Sequence, residues 1–176
     1  LIAMPAMDDA NFAQSVTLVC EHGPQGALGI VINRTLPMTF GEVFEQLGLD
    51  AARSRVSEQP VMHGGPVQTG RGFVLNSPAG TWDSSLPFSE KMHLTTSRDI
   101  LDALAAGEGP EHAVIALGYA GWGAGQLEDE LARNAWLTVD ADEKLLFSTP
   151  VEQRWQAAAR LLGIDLRSLS SDAGHA

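Results

Sequence analysis

Two runs rich in β-branched residues lie near the start of the chain, SVTLVCEH (15–22) and ALGIVINR (27–34), with only the turn-forming GPQG between them. That arrangement predicts a β-hairpin. The period then changes. In TFGEVFEQLG, Val43, Phe44 and Leu47 fall on one helical face, Thr39 and Glu42 have capping-box spacing, and Gly48 sits where a left-handed C-cap belongs. PVMHGGPV and RGFVLN read as strand ends on either side of a tight turn. A second helix is predicted in SRDILDALAAG, capped by Thr96 with Asp99 at the third helical position, with Ile100, Leu101 and Leu104 inward and Gly107 as its stop.

HAVIALGYAG is apolar at successive positions, the mark of a strand buried on both faces. A third helix begins near Gly125, with Leu127 and Leu131 four apart, and yields to NAWLTV and then KLLF. In TPVEQRWQAAARLLG, Thr149 is placed to cap a fourth helix, Pro150 to take its first position, Glu152 to complete a box and Gly163 to end it. Residues 76–91 read as a long surface loop pinned by Trp82 and Phe88. The early hairpin, and later strands that adjoin without helices between them, argue against a purely parallel doubly wound sheet. The expected fold is α+β in a single domain, residues 1–176: a mixed, strongly curled sheet with about four helices.

With 176 residues, 44% of them hydrophobic, the chain suits one core. No apolar run approaches the roughly 18–20 residues that span a bilayer, so no membrane anchor is expected within it. Beginning at Leu1 rather than Met, the sequence leaves an upstream leader open. Eleven basic against 22 acidic side chains give a formal charge of −11, a field that repels phosphate backbones and argues against direct nucleic-acid binding. Cys20 is the only cysteine, which excludes an internal disulfide and fits a reducing, cytoplasmic location.

Three features invite a chemical reading. The glycines at 118, 121, 123 and 125 match neither phosphate-loop spacing, and the helix after them opens with Glu128, Asp129 and Glu130, which compete with a phosphate. Their structural role is to let Tyr119 and Trp122 pack while the backbone takes positive φ, and the acidic triplet reads as a solvated face. HGG at 63–65 resembles an oxyanion-hole run, but the chain contains no G-x-S-x-G nucleophile elbow; a tight turn with amides open to a ligand is the remaining reading. The two glycine segments together nominate His63, Gly64, Gly65, Tyr119, Gly121, Trp122, Gly123 and Gln126 as ligand-binding candidates.

Cys20 is the one reactive candidate. Strand alternation turns Cys20 and His22 to one face and Glu21 to the other, and a thiol beside an imidazole can become a thiolate nucleophile. A Cα separation of about 7 Å is loose for that pairing, and a small buried core residue is the competing reading. The histidines at 22, 63, 93, 112 and 175 lack metal-ligand spacing, so neither a metal nor a cofactor is expected. Arg98, in the first turn of the second helix, is placed to bind an acidic group or to pair with Asp102 at i,i+4.

LIAMPAMDDANFAQSVTLVCEHGPQGALGIVINR, HGGPVQTGRGFVL, ALGYAGWGAGQLEDELARNAWLTV, LFSTPVEQRWQAAARLLGI and the closing LSSDAGHA, taken in order, resemble the bacterial YqgE/AlgH family over nearly the whole chain. The family's signature positions map onto Pro5, Cys20, Asn33, Gly64, Gly65, Pro66, Gly72, Phe73, Gly118, Tyr119, Gly121, Trp122, Gly125, Gln126, Leu127, Glu128, Trp136 and Trp155. The resemblance implies a compact α+β fold whose strands form a pseudo-barrel flanked by helices, and it implies no catalytic residue among these. Some members carry a transcriptional-regulator label tied to exopolysaccharide control. Lacking a helix-turn-helix and carrying the wrong charge for a DNA reader, this chain is expected to be a non-enzymatic regulatory or binding module with a protein or small-molecule partner. A thiol-dependent or hydrolytic enzyme centred on Cys20 is the alternative.

Overall fold

A computed structural model describes residues 1–169, so most of LSSDAGHA, including His175, lies outside the described residues. In chain order the strands are β1 (Ile2–Ala3), β2 (Thr17–Gly23), β3 (Gly26–Val31), β4 (Thr35–Thr39), β5 (Pro60–His63), β6 (Val67–Ser77), β7 (Ser85–Pro87), β8 (His93–Thr95), β9 (His112–Gly123) and β10 (Trp136–Leu137). The helices are α1 (Phe40–Gln46), α2 (Asp99–Ala106), α3 (Gln126–Ala132), α4 (Glu143–Phe147), α5 (Arg154–Leu161) and α6 (Leu166–Leu169), with a 3₁₀ turn at Val151–Gln153. Eight strands make one strongly curled, mostly antiparallel half-barrel with a main path β2-β3-β9-β6-β8-β7, while β1 pairs with β10 separately. The mixed α+β expectation holds, with six helices in place of about four. Five- and four-residue helices such as α4 and α6 are too short to show a 3.6-residue period.

β9 organises the sheet. Its residues alternate between two cores, as an apolar strand covered on both faces must. Val114 and Ala116 join Phe73 and Leu75 of β6 in a core with α4, α5 and α6, while Ala113 and Ile115 join Val74, Phe40 and Phe44 in a core with α1 and α2. One edge of β9 is lined by β6 from Ser77 opposite His112 to Val67 opposite Tyr119, with a register slip between Gly72 and Val67. The other edge is shared end to end. β5 runs parallel along it, with Met62 opposite Ala116, and β3 takes over antiparallel, with Gly29 opposite Ala120.

Consecutive strands β5 and β6 therefore flank β9 on opposite sides, and the chain between them passes across it in three residues. The tight turn expected around HGGPV is this crossing. The Gly64 N–H donates to the Leu117 carbonyl at 2.8 Å, and the Gly64 carbonyl accepts from Val31 N–H at 2.8 Å. A Cβ on Gly64 would collide with the Gly118 carbonyl, and one on Gly65 with the Tyr119 peptide; one on Gly118 would in turn strike the Gly65 carbonyl. Gly65 (φ +151°) and Gly118 (φ +78°) also hold backbone conformations that L-residues rarely adopt.

Local signals fared unevenly. Thr39 forms the capping box with Glu42 as expected, and Gly48, Gly107 and Gly163 take left-handed φ just past their helices. Arg98 pairs with Asp102 at 3.5 Å and donates to the Leu47 carbonyl at 2.9 Å. Thr96 does not cap α2, because its hydroxyl is bonded to Ser84 and Asp99 is held by Ser97 and the Asp83 N–H. Thr149 does not cap the last long helix either. Its hydroxyl donates to the Lys144 carbonyl, and Pro150, with ψ 139°, stands outside the helix before the 3₁₀ turn. The 76–91 segment is partly strand, since Asn76 and Ser77 end β6 and Ser85–Pro87 pairs with β8. Trp82 and Phe88 do pin it, one to each core.

Replacing Gly65 or Gly118 with Ala should lower the unfolding free energy by about 3 kcal/mol or more, through backbone collision and strained φ. Gly70→Ala, at a site with open space around its Cβ, should stay within about 0.5 kcal/mol. Urea unfolding of the three variants checks the contrast.

Candidate functional site

The nominated residues separate into two groups, and Trp122 of the second lines a cleft of about 400 Å³ beside the β2/β3 turn. His63, Gly64, Gly65 and Tyr119 belong to the crossing. Gly64 and Gly65 are buried, and the Gly64 amide is spent on Leu117, so these glycines present no oxyanion-hole pair. The left-handed Gly118 also breaks the alternation of β9: Leu117 packs toward the α1/α2 core, yet Tyr119 reaches the opposite core and meets Phe73 edge-on at 5.8 Å.

Gly121, Trp122, Gly123 and Gln126 form the second group. β9 runs through Gly123 before turning, so most of the glycine-rich segment is strand rather than turn. Trp122 packs on β3, where a Cβ on Gly29 would lie 3.2 Å from the indole and 2.7 Å from the Thr17 methyl. The Gly123 N–H, a donor a phosphate would need, is taken by Gln126 Oε1 at 3.0 Å. The packing reading holds for Gly118 and Gly121, which backbone or the Tyr119 ring approaches closely, while Gly125 is needed for its positive φ alone and nothing crowds Gly123.

The solvated-face reading holds for exposed Glu128 and Asp129 but not for Glu130. Glu130 Oε2 accepts from the indole N–H of Trp122 at 2.9 Å and of Trp136 at 2.8 Å, and Oε1 accepts from Gln126 at 3.0 Å. Both indoles are buried, and Phe12 closes the group with ring centroids 6.3 and 5.7 Å away. Two large aromatics need an acceptor for their polar edge, and one carboxylate serves both. Burial opposes ionisation of Glu130, but the hydrogen bonds from Trp136, Trp122 and Gln126, with the charge of Arg133, outweigh it and hold the carboxyl below its ordinary pKa. Exposed Glu128 binds His22 at 2.5 Å, tying the hairpin tip to α3.

Cys20 does not share a face with His22. Val19 lies opposite Gly29 and Glu21 opposite Leu28, so Cys20 is the extra residue of a β-bulge, and the alternation resets there. The side chain is 7% exposed in the core with Leu18 and Ile30, and burial pushes its thiol up to about 12. His22 is out in solvent. A thiolate nucleophile requires the reverse of each condition.

A concavity that sequence reasoning missed lies between α1, α2 and the sheet. It encloses about 440 Å³ and is walled by Met38, Val43, Leu101, Val74, Ile115 and Leu117, with Thr96, Ser97 and Arg98 at its rim. The β6 backbone at Gly70 and Gly72 completes it, where the β6/β9 register slips between Val67 and Gly72. Of its lining only Arg98 had been read as a binding group, and its exposed guanidinium is engaged by Asp102 and Leu47.

The family model described as AlgH-like matches residues 1–167. This chain belongs to the AlgH-like family. A UPF0301 protein of Thioalkalivibrio sulfidiphilus is 59% identical over 176 residues, covering 100% of this chain and 94% of that protein. One from Xanthomonas campestris is 53% identical over the same span, with the same coverage. The solution structure of the AlgH protein from Pseudomonas aeruginosa superposes with a TM-score of 0.79 at 52% identity, over 99% of this chain and 93% of that one. A Corynebacterium diphtheriae protein shares the AlgH-like fold at 19% identity, with a TM-score of 0.78 over 97% of this chain and 88% of its own. No helix among the described residues is long and apolar enough to cross a membrane.

Two outcomes follow for the site residues. Glu130→Ala should cost about 2–3 kcal/mol by stranding buried indole donors. Because the folded pKa of Glu130 is lowered, its contribution is complete above the unfolded carboxyl pKa and is lost as pH falls through the folded value. Denaturant midpoints of wild type and Glu130→Gln should therefore converge on acidification. Cys20 should resist a disulfide reagent in native buffer and react once urea unfolds the chain, as followed by thiol absorbance.

Proposed function

We propose that this AlgH-like chain is a non-enzymatic binding module, and that its ligand is a small apolar molecule held between α1, α2 and the sheet. The observation that carries this reading is the composition of that cleft. Its walls come from side chains of two helices and four strands, and Thr95, Thr96, Ser97 and Arg98 among its polar groups are already hydrogen-bonded. Pockets of this size with few polar groups are the usual form of small-molecule sites. A buried cysteine whose thiol is pushed up to about 12, with His22 turned to solvent, gives the enzyme alternative no support.

A regulatory role, on this reading, runs through ligand-dependent contact with a partner protein. The formal charge of −11 disfavours direct contact with DNA. Thermal-shift screening against nucleotides, sugars, acids and small apolar compounds tests the site. A cleft ligand at 100 times its Kd should add about 2.7 kcal/mol of stability. Val43→Phe, which fills the cleft, should abolish that gain. A ligand whose effect survives Val43→Phe, or a screen without a single hit, would remove the cleft from consideration.

A further inference from the structure

A different cleft lies where the start of β9 meets β5 and the α4/3₁₀ connection, enclosing about 190 Å³. Arg154, the first residue of α5, lines it, and at 5% exposed is the one charged side chain among the buried described residues. Two of its donors serve the fold: Nε binds the Thr149 carbonyl at 3.0 Å and Nη1 the Ile32 carbonyl at 2.5 Å. A guanidinium has five N–H donors, and the other three make no hydrogen bond among the described residues. No carboxylate stands within ion-pair distance of it there. Burial draws its pKa down, and only the charge of Glu152 opposes this.

Two neutral carbonyl contacts pin α5 to the sheet, and they leave a mostly buried charge without a counter-ion, its unbonded Nη2 reachable from the cleft. Such a charge is costly unless something pairs it. The rest of the cleft says what the partner would be. His112 and Phe147 stack at its side with centroids 5.4 Å apart, and Phe40, Met62 and Val151 also line it. Exposed Glu111 stands at the edge, beside His112 at 3.8 Å. The stacked aromatic pair favours a planar body beside it, the guanidinium fork favours a carboxylate, and the Glu111 charge penalises a second negative charge on the ligand.

We infer that the Arg154 cleft is a binding site for a small planar monocarboxylate, the buried guanidinium supplying its counter-charge. The site is separate from the α1/α2 cleft and does not depend on it. The test is a titration of the ¹⁵N-labelled protein with benzoate, the neutral isostere benzamide and inorganic phosphate. Benzoate should shift the amides of His112, Phe147, Val151 and Arg154 saturably, with benzamide and phosphate each weaker by at least about tenfold, the share of one charge-assisted hydrogen bond. Arg154→Met should weaken benzoate by a similar factor while leaving any α1/α2-cleft ligand unaffected. Should that variant fail to fold, the wild-type comparison of benzoate with benzamide decides alone. Benzoate leaving the cleft amides unmoved, benzamide or phosphate binding as tightly, or Arg154→Met retaining full affinity would each overturn the assignment.

Discussion

Backbone meeting backbone, with no side chain between, is the contact on which the rest of this structure depends. At Gly64 and Gly65 the chain leaves one edge of β9, lies directly on Gly118 and Tyr119, and descends to the other edge. The crossing lets β9 take β5 and β3 in series on one side while β6 holds residues 112–119 on the other. The two-faced strand and the two cores follow from that. The left-handed Gly118 that makes room for the strap also throws Tyr119 to the opposite face. Space and conformation are thus solved by the same residue.

Much of the fold was legible because its signals are local. The hairpin, the α1 capping box, the start of α3 and the double-sided burial of β9 each rest on residues within a few positions of one another. Pairing across long sequence distances was not legible. Nothing near PVMH says that its partner is the middle of β9 or that the pairing is parallel. The Cys20 face was misjudged because alternation assumes an unbroken ladder, and a bulge carries no reliable residue signature. Thr96 and Thr149 have the right spacing for caps, but a hydroxyl beside a strand or another helix finds a nearer partner.

The site residues divide in the same way. Their shared character was visible, since small residues interleaved with aromatics predict close packing, and Gly64, Gly65, Gly118 and Gly121 are closely packed. Two charged groups were missed, and both had left a trace. Two tryptophans buried near an acidic helix need an acceptor, and Glu130 was the carboxylate in reach. Arg154 stands four residues before buried Ala158, on the apolar face of α5, where a charge is out of place unless something holds it. The α1/α2 cleft left no trace, because its cavity arises from how three elements fail to meet.

The strap over β9 also imposes an order on synthesis. β5 and β6 emerge from the ribosome well before β9, and in the finished sheet neither pairs with the other, so both lack their shared partner until β9 is made. Until residue 112 is out, the β5 edge and the β6 edge that will both border β9 stand open, and open edges recruit foreign strands. The last third of the polypeptide is thus the wedge that closes the first two, and a nascent chain halted before β9 would present two sticky borders in place of a finished sheet.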